Sequence, residues 1–349
     1  MSARPAAFAI PGDITTLTGG YIYERRLLEG LRAQGREMLH MELGASFPDP
    51  TPADMEDAVE KLATLPPDKA LILDGLVFGS IETEGLSRIR APIVAMIHHP
   101  LAMESGLDAD RRTHLYRTER DNLALAAHVL VPSPHTADIL TTEYGVAPER
   151  ITIARPGTDR PEGERNPVTP PLILSVGIQH PRKGHDVLMK ALARISDLDW
   201  QAVIVGSRYD AGHAAELDHL HAELGLGKRV RMAGRVADED LRRLYSSATV
   251  FALATRYEGY GIVFDEALVH GLPIVSCRTG AVPDTVPPEA GLLVPPDDPE
   301  ALADALARLL SDGNMRARLT EAARCAGARL PGWPDTARVA GEVLDGLSE

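Results

Sequence analysis

Two acidic residues, Glu258 and Glu266, lie eight positions apart on either side of a glycine-containing turn and a short apolar run. Gly259 and Gly261 permit a tight turn, and a helix is predicted to begin near Gly261. The free N–H groups at the start of such a helix bind phosphate groups. Glu266 would lie about 7 Å further along the helix axis, and both carboxylates could accept hydrogen bonds from hydroxyl groups. This spacing suits a sugar phosphate with hydroxyls at both ends; two ordinary solvated acids are the competing interpretation.

A basic pair, Arg182 and Lys183, follows a strand that is predicted to end at Val176 and precedes a helix that is predicted to begin near Gly184. Two fixed cations beyond the carboxyl end of a strand could neutralise the charge that develops on a departing diphosphate. An ordinary basic pair at a helix start is the alternative, although cations are unfavourable there unless an anion is present.

The first half of the chain offers a glycine pair and a histidine pair, each after a predicted strand. Gly19 and Gly20 precede a predicted helix but lack the spacing of a dinucleotide-binding fingerprint. A glycine pair permits close approach of the backbone to a ligand, and a simple turn is the equally good alternative. His98 and His99 are predicted to end a buried strand, where side chains face a ligand site beyond the sheet edge. A structural histidine is the competing interpretation.

The composition argues against several classes of function. The 349-residue chain has a formal net charge of −14, and only 4% of its residues are aromatic. Nucleic-acid binding relies on clustered cations and stacking aromatics, so we do not expect it. Two cysteines and the absence of zinc-ligand spacing in the sequence argue against a disulfide framework and a zinc site. No apolar stretch of the sequence approaches the length of a membrane span.

Short apolar segments alternate with helical patterns, which predicts α/β domains with parallel sheets covered by helices. The predicted strands are 8–10, 37–42, 69–74, 93–98, 129–131, 151–154, 172–176, 202–205, 230–233, 250–253, 273–276 and 291–294.

Domain boundaries follow from a proline-rich segment over 155–171, which is predicted to be an exposed linker. We place a first domain at 1–160, a second at 161–330, and a C-terminal helix at 331–349 that packs back toward the first domain. Two doubly wound domains joined in this way would face each other with the carboxyl ends of their strands and form a central cleft.

Four segments of the sequence form a set: Glu258 and Glu266 with seven residues between them, Gly271-Leu272-Pro273-Ile274-Val275, Gly280-Ala281-Val282-Pro283-Asp284, and Val176-Gly177 through Gly184. With these segments, the sequence from Leu172 to about Leu310 resembles the family 4 retaining glycosyltransferases, whose GT-B fold consists of two Rossmann-like domains. In the third segment, Ala281 and Asp284 replace a glycine and a glutamate of the family pattern. In the N-terminal half the likeness is looser, through Gly19, Gly20 and the strand predicted to end at His98.

The resemblance implies a role for each matched position. Arg182 and Lys183 would hold the donor diphosphate, and Arg182 would also serve for an arginine that some members carry where Ile178 stands here. His98 would contact the donor sugar near the reacting carbon, and Glu258 would meet the sugar and phosphate. The implied donor-binding residues are Gly19, Gly20, Arg235, Val236, Gly259, Tyr260, Gly261 and Glu266, of which Glu266 would hold the ribose hydroxyls and Arg235 and Val236 would lie near the nucleobase.

The predicted activity is transfer of a sugar from a nucleotide-diphosphate sugar, of the UDP or GDP type, to a hydroxyl of a glycan, glycolipid or polysaccharide. Transfer would proceed with retention of configuration and without a metal or other cofactor. A sugar-nucleotide epimerase and a non-catalytic sugar-nucleotide-binding protein of the same fold are the alternatives. We expect a cytoplasmic protein with at most peripheral contact with the inner membrane face.

Overall fold

A computed structural model describes residues 3–104 and 106–347, which divide into two compact units. The first unit combines the chain up to Gly157 with the segment from Pro331 onward, and the second runs from Thr158 to Leu330. The division thus falls shortly before the predicted boundary at 160. The predicted ranges 1–160 and 331–349 include residues 1, 2, 105, 348 and 349, which lie outside the described residues.

The first unit is built on a parallel sheet in the order β2-β1-β3-β4-β5-β6. The side chains of β1 and β3 are buried along their whole length, which is typical of central parallel strands covered by helices on both faces. The strands are β1 (Ala6–Pro11), β2 (Met38–Leu43), β3 (Ala70–Asp74), β4 (Ile93–Met96), β5 (His128–Val131) and β6 (Ile151–Ile153). The helices are α1 (Gly19–Ala33), α2 (Pro52–Ala63), α3 (Gly75–Phe78), α4 (Thr83–Leu86), α5 (Ala109–Leu125) and α6 (Pro134–Thr142).

The second unit has the same layered design, with a parallel sheet in the order β12-β11-β10-β7-β8-β9. Its strands are β7 (Leu172–Val176), β8 (Gln201–Val205), β9 (Val230–Gly234), β10 (Val250–Leu253), β11 (Ile274–Cys277) and β12 (Gly291–Val294). Its helices are α7 (His185–Arg194), α8 (Ala211–Glu223), α9 (Asp238–Ser247), α10 (Ile262–Val269), α11 (Val282–Thr285), α12 (Pro299–Ser311) and α13 (Gly313–Arg329). All the strand segments predicted from the sequence are strands in the structure.

The last helix, α14 (Trp333–Gly346), returns to the first unit and packs on α1. A Cβ atom on Gly30 would lie 2.7 Å from the Cβ of Ala337, so the absence of a side chain there permits the close approach of the two helices. Arg36 pairs with Asp345 at 2.8 Å and ties the end of α14 to the loop before β2. Among the helices that the structure describes, none combines the length and the apolar character that crossing a bilayer requires.

Some predicted boundaries are wrong by a few residues. The strand predicted to reach His98 ends at Met96, so His98 lies in the following turn. Gly19 and Gly20 are the first residues of α1 rather than a separate turn.

The predicted linker over 155–171 is largely exposed, but part of it is attached to the second unit. The backbone N–H groups of Asn166 and Val168 donate to the carbonyl groups at the end of α9, at 2.9 and 3.1 Å. The Arg165 side chain donates to the carbonyl oxygens of Gly271 and Ala248 at 3.0 and 2.7 Å. These bonds make the segment a surface strap of the second unit rather than a free connection.

Candidate functional site

The basic pair lies in a short 3-10 turn, Pro181–Lys183, between β7 and α7. Gly184 follows with φ of 62°, and a Cβ atom there would lie only 1.9 Å from the carbonyl oxygen of Ala254. Only glycine combines that backbone conformation with that close approach. The basic turn is therefore held against the end of β10, the strand that neighbours β7 in the sheet.

Arg182 and Lys183 converge on Glu258, which lies in the loop after β10. The Lys183 Nζ atom lies 2.6 Å from Glu258 Oε1, and the Arg182 Nη1 atom lies 3.4 Å from Oε2. The Thr255 hydroxyl donates to the same Oε1 at 3.0 Å. All three charged side chains are largely buried, with exposed fractions of 18% for Arg182, 12% for Lys183 and 5% for Glu258. The two cations and one carboxylate leave one net positive charge in this group.

The electrostatic balance keeps Glu258 ionised. Burial alone would raise the pKa of Glu258, but Lys183 and Arg182 together lower it below its ordinary value. The sequence predicts that Glu258 presents its carboxylate from a turn to ligand hydroxyls. Both carboxylate oxygens also accept hydrogen bonds from the protein, and the contact with a ligand stays a prediction.

The turn from Glu258 to Gly261 is supported by a second loop. A Cβ atom on Gly280 would lie 2.3 Å from the Glu258 carbonyl oxygen, and the Ala281 N–H donates to that oxygen at 2.8 Å. Gly259 is buried within the turn, and Gly261, at φ of 89°, caps the start of α10. The Tyr260 hydroxyl donates to Asp265 Oδ2 at 2.5 Å, and this bond connects the turn to α10. The predicted ligand contact of Tyr260 is made by its backbone amide.

Glu266 lies on α10. Tyr245, on α9, donates its hydroxyl group to Glu266 Oε2 at 2.7 Å. The Tyr245 ring stacks on His270 with centroids 5.0 Å apart, which fixes the direction of its hydroxyl. Burial raises the pKa of Glu266 to about 7, and the Tyr245 hydrogen bond opposes that rise. Tyr245 could not be predicted as part of the site from the sequence, since no motif connects it with Glu266.

Arg235 and Val236 follow β9, which extends one residue further than predicted, to Gly234. Arg235 is exposed and Val236 is half-buried. Because β7, β9 and β10 are strands of one parallel sheet, the loops that follow them meet at the same edge. The sequence-predicted residues of the second half therefore share the carboxyl edge of the second unit's sheet, as expected for a ligand site in this kind of sheet.

A second polar cluster lies in the first unit and contains His98, Glu24 and Asp74. The His98 Nε2 atom lies 3.3 Å from Glu24 Oε1, and the Glu24 side chain is 2% exposed. Asp74 lies close to both side chains, and burial raises the pKa of Glu24 to about 7 and that of Asp74 well above its ordinary range. Burial lowers the pKa of His98. A Cβ atom on Gly20 would lie 3.5 Å from His98 Cδ2, so the glycine pair adjoins this cluster.

The three side chains also form the one group of possible metal ligands found among residues 3–104 and 106–347. Each offers one ligand atom, and these atoms lie within 4.8 Å of one another. The expectation that no metal is needed stays a prediction.

Glu24 and Asp74 were not selected from the sequence, although both carry a signal. Asp74 is a polar residue at the carboxyl end of a buried strand, as His98 was predicted to be. Glu24 lies one helical turn before Leu27 and Leu28, on the face of α1 that becomes buried.

The profile of glycosyl transferases group 1 matches residues 158–325, and the glycosyltransferase family 4 profile matches residues 77–161. On both matches together, the chain belongs to the family 4 glycosyltransferases. The two parallel sheets have the architecture of the GT-B fold, which confirms the predicted fold class.

Two relatives illustrate the likeness in sequence. A D-inositol 3-phosphate glycosyltransferase of Corynebacterium glutamicum is 31% identical over 71% of this chain and 65% of its own length. An MMP alpha-(1->4)-mannosyltransferase of Mycolicibacterium hassiacum is 28% identical over 84% of this chain and 74% of its own length. The chain thus spans slightly less than two thirds of the length of the first relative, 65%, and 74% of the length of the second.

Solved structures show the same fold. Sucrose-phosphate synthase from Thermosynechococcus elongatus aligns with a TM-score of 0.84 and 24% identity, over 97% of this chain and 98% of that one. Anabaena HepE in complex with UDP and glucose aligns with a TM-score of 0.76 and 16% identity, over 99% of this chain and 100% of that one.

Proposed function

We propose that this protein transfers a glycosyl group from a nucleotide-diphosphate sugar to an acceptor hydroxyl, with retention of configuration and without a metal. The observation that carries the proposal is the buried group of Arg182, Lys183 and Glu258 at the carboxyl edge of the second unit's sheet. Two largely buried cations contact one carboxylate there, which leaves one net positive charge in the group. A departing diphosphate is an anion that such a site stabilises.

The chemistry follows from that charge. The bond between the sugar's anomeric carbon and the phosphate oxygen breaks, and its electron pair goes to the diphosphate. Arg182 and Lys183 stabilise the charge that develops on this leaving group, and the sugar passes through an oxocarbenium-like state. The acceptor oxygen attacks the same face of the sugar and gives its proton to the departing phosphate oxygen.

The nucleoside would be held by other residues of the second unit. Glu266 has one carboxylate oxygen bonded to Tyr245, and we assign its other oxygen to the ribose hydroxyls. The amides of Gly259, Tyr260 and Gly261 and the start of α10 would meet the sugar and phosphate. Arg235 and Val236 would lie near the base, and His98 of the first unit would contact the sugar. The complex of HepE with UDP and glucose supports a UDP-type donor, with GDP as the other choice.

The acceptor is proposed to be a hydroxyl of a glycan, glycolipid or polysaccharide, met by the first unit. The name of the corynebacterial relative adds D-inositol 3-phosphate to the compounds that deserve testing. The protein is proposed to act in the cytoplasm, with at most peripheral contact with the membrane.

The test is a matrix of UDP-, GDP- and ADP-sugars against these acceptors, with release of the nucleoside diphosphate and the anomeric configuration of the product as readouts. We expect one donor class to release its diphosphate only when an acceptor is present, to form a product with the donor's configuration, and to do so in excess chelator. Inverted product would refute retention, and loss of turnover in chelator would refute metal independence.

Two other outcomes would replace the proposal. A changed sugar that remains attached to its nucleotide would identify an epimerase. Saturable nucleotide-sugar binding without release of diphosphate would identify a non-catalytic binding protein.

A further inference from the structure

Arg256 lies in the loop after β10, two residues before Glu258, and is attached to the basic turn by both its backbone and its side chain. Its backbone N–H group donates to the carbonyl oxygen of Arg182 at 2.8 Å. Its guanidinium group donates through Nη1 to the carbonyl oxygen of Pro181. Two residues of the basic turn are therefore hydrogen-bonded to this one arginine.

The rest of the guanidinium group is paired with two carboxylates from other segments. Nη1 and Nη2 donate to the two oxygens of Asp186, the second residue of α7, at 3.1 and 3.0 Å. Nε donates to Asp297, in the loop between β12 and α12, at 2.7 Å. Lys190 also contacts Asp186, at 3.6 Å, but that lysine is 48% exposed and the contact is weak. Because a paired set of guanidinium–carboxylate bonds fixes the direction of both groups, Arg256 connects the basic turn rigidly with the start of α7.

The donors of Arg256 are almost all used within the protein. Of the five N–H bonds of a guanidinium group, four point to Pro181, Asp186 and Asp297. Two carboxylates also more than balance its single positive charge. An arginine in this state is suited to holding other residues in place rather than to binding an anion itself.

The basic turn has few hydrogen bonds of its own. The Lys183 N–H group donates to the carbonyl oxygen of His180 at 2.9 Å, and the Gly184 N–H group donates to that of Pro181 at 3.2 Å. A single 3-10 turn has weaker hydrogen-bond geometry than an α-helix. Contacts from outside the turn therefore decide where Arg182 and Lys183 are placed.

We infer that Arg256 and Asp186 are positioning residues for the donor diphosphate. They fix the basic turn so that Arg182 and Lys183 meet the phosphates, and Arg256 does not bind the phosphates itself. The contact with phosphate rests on the proposed function; the fixing of the turn does not.

Two substitutions separate position from charge. Arg256→Lys keeps the positive charge, but a single ammonium group cannot bond Pro181, Asp297 and both oxygens of Asp186 together. Asp186→Asn removes a negative charge close to the basic turn, so Coulomb attraction alone would strengthen the binding of an anion there. If position decides, both substitutions weaken that binding.

The measurement is calorimetric titration with UDP and UMP, or with the guanosine or adenosine pair if the wild type prefers one of those. We expect the affinity for the diphosphate to fall about tenfold in both variants, as for the loss of one hydrogen bond to a charged group. The affinity for the monophosphate should change less than about threefold, because it carries one phosphate fewer for the basic turn to meet.

Two exposed residues of the same unit provide matched controls. Arg278→Lys makes the same change at an exposed arginine that follows β11, and Asp304→Asn makes the same change at an exposed acid of α12. Both should bind the two nucleotides like the wild type.

Hydrogen exchange of the ligand-free protein tests the fixing of the turn without a nucleotide. The N–H groups of Lys183 and Arg256 report on the turn and on its attachment. We expect both to exchange about tenfold faster in Arg256→Lys and in Asp186→Asn than in the wild type, and at the wild-type rate in the two controls.

The outcomes that overturn the inference are distinct from failure of the proposed function. Unchanged or tighter diphosphate binding in Asp186→Asn overturns it, because charge rather than position would then decide. Wild-type affinity in Arg256→Lys overturns it too, and so does an equal loss of diphosphate and monophosphate binding with a lower unfolding temperature, which is general damage to the unit. If the wild type binds no nucleoside diphosphate, the proposed function and the phosphate contact fail together, while hydrogen exchange still decides whether Arg256 and Asp186 fix the turn.

Discussion

Glu24 and Glu258 are both buried glutamates, and each belongs to the candidate polar cluster of its unit. Their pKa values are nevertheless shifted from the ordinary glutamate value in opposite directions. Burial raises the pKa of Glu24 to about 7, and the neighbouring Asp74 offsets only part of that rise. Burial also acts on Glu258, but Lys183 and Arg182 outweigh it and lower its pKa. The neighbours, rather than the depth of burial, decide the charge of each site.

The difference fits different ligand groups. The first unit's cluster consists of two carboxyl groups and an imidazole, which can exchange hydrogen bonds with a hydroxyl group. The second unit's cluster holds excess positive charge, which suits a phosphate. If both clusters serve one reaction, the strongest effect on turnover should come from the charged one.

Lys183→Ala should give the largest loss. Removing a cation that stabilises a developing negative charge should lower kcat about 10²- to 10³-fold. Lys190→Ala, which removes an exposed lysine from α7, is the control and should leave turnover near wild type. Both are measured as steady-state release of nucleoside diphosphate, with the unfolding temperature recorded to exclude unfolding. Normal turnover in Lys183→Ala would refute the diphosphate role.

Two glycine substitutions test how the clusters are built. Gly184→Ala should destabilise the second unit by several kcal/mol, because the new Cβ would lie 1.9 Å from the Ala254 oxygen and φ is 62°. Gly20→Ala should be tolerated or slightly stabilising, because its Cβ would make an ordinary contact of 3.5 Å with His98 and alanine favours a helix. Thermal unfolding measures both, and equal effects would contradict the described packing.

The two buried glutamates should give the units opposite pH dependences. A raised pKa means that the folded state holds the Glu24 proton more tightly than the unfolded state does. The free energy of unfolding of the first unit should therefore fall by about 3 kcal/mol in total as the pH rises from about 4.5 to about 7. The lowered pKa of Glu258 means that its contribution is present above pH 4.5 and is lost as the pH falls below that value.

Each unit contains one tryptophan, which allows the two dependences to be measured separately. Trp333 reports on the first unit and Trp200 on the second, so urea unfolding of Trp200→Phe and Trp333→Phe proteins follows each unit by fluorescence. Adding Glu24→Gln should remove most of the fall in the first unit's free energy of unfolding between pH 4.5 and 7. Adding Glu258→Gln should reduce the fall in the second unit's free energy of unfolding below pH 4.5. Unchanged slopes would show that other groups dominate.

Nucleotide affinity should show the smallest of these effects. The pKa of Glu266 is about 7, and only its ionised form accepts hydrogen bonds at both oxygens. The affinity for a nucleoside diphosphate should therefore fall about tenfold between pH 8 and pH 6. Calorimetric titration should show a flatter profile in Glu266→Gln, while Glu289→Gln, an exposed acid of the same unit, should follow the wild type. The titration of the phosphate itself is common to all three proteins.

Much of the fold and part of the site could be predicted from the sequence. The strand segments were predictable because fully buried parallel strands are short, continuous apolar runs. Arg182 and Lys183 could be predicted because they follow such a run, where ligand sites of α/β sheets lie. Glu258 could be predicted from its spacing to Glu266 across a glycine-containing turn at a helix start. Their mutual ion pairs were not predictable, since 75 positions separate Lys183 from Glu258 and no local pattern records the distance.

The chain's periodicity and motifs determined the layered α/β architecture, the carboxyl-edge location of the charged residues and the family, because these depend on local patterns of apolar, basic and glycine residues. Only the tertiary structure decided which charges meet. Strand order places Lys183 beside Glu258 and leaves Glu24 with Asp74 and His98. Because a buried carboxyl group takes its charge from its nearest neighbours, the chemistry of both clusters is a property of that packing.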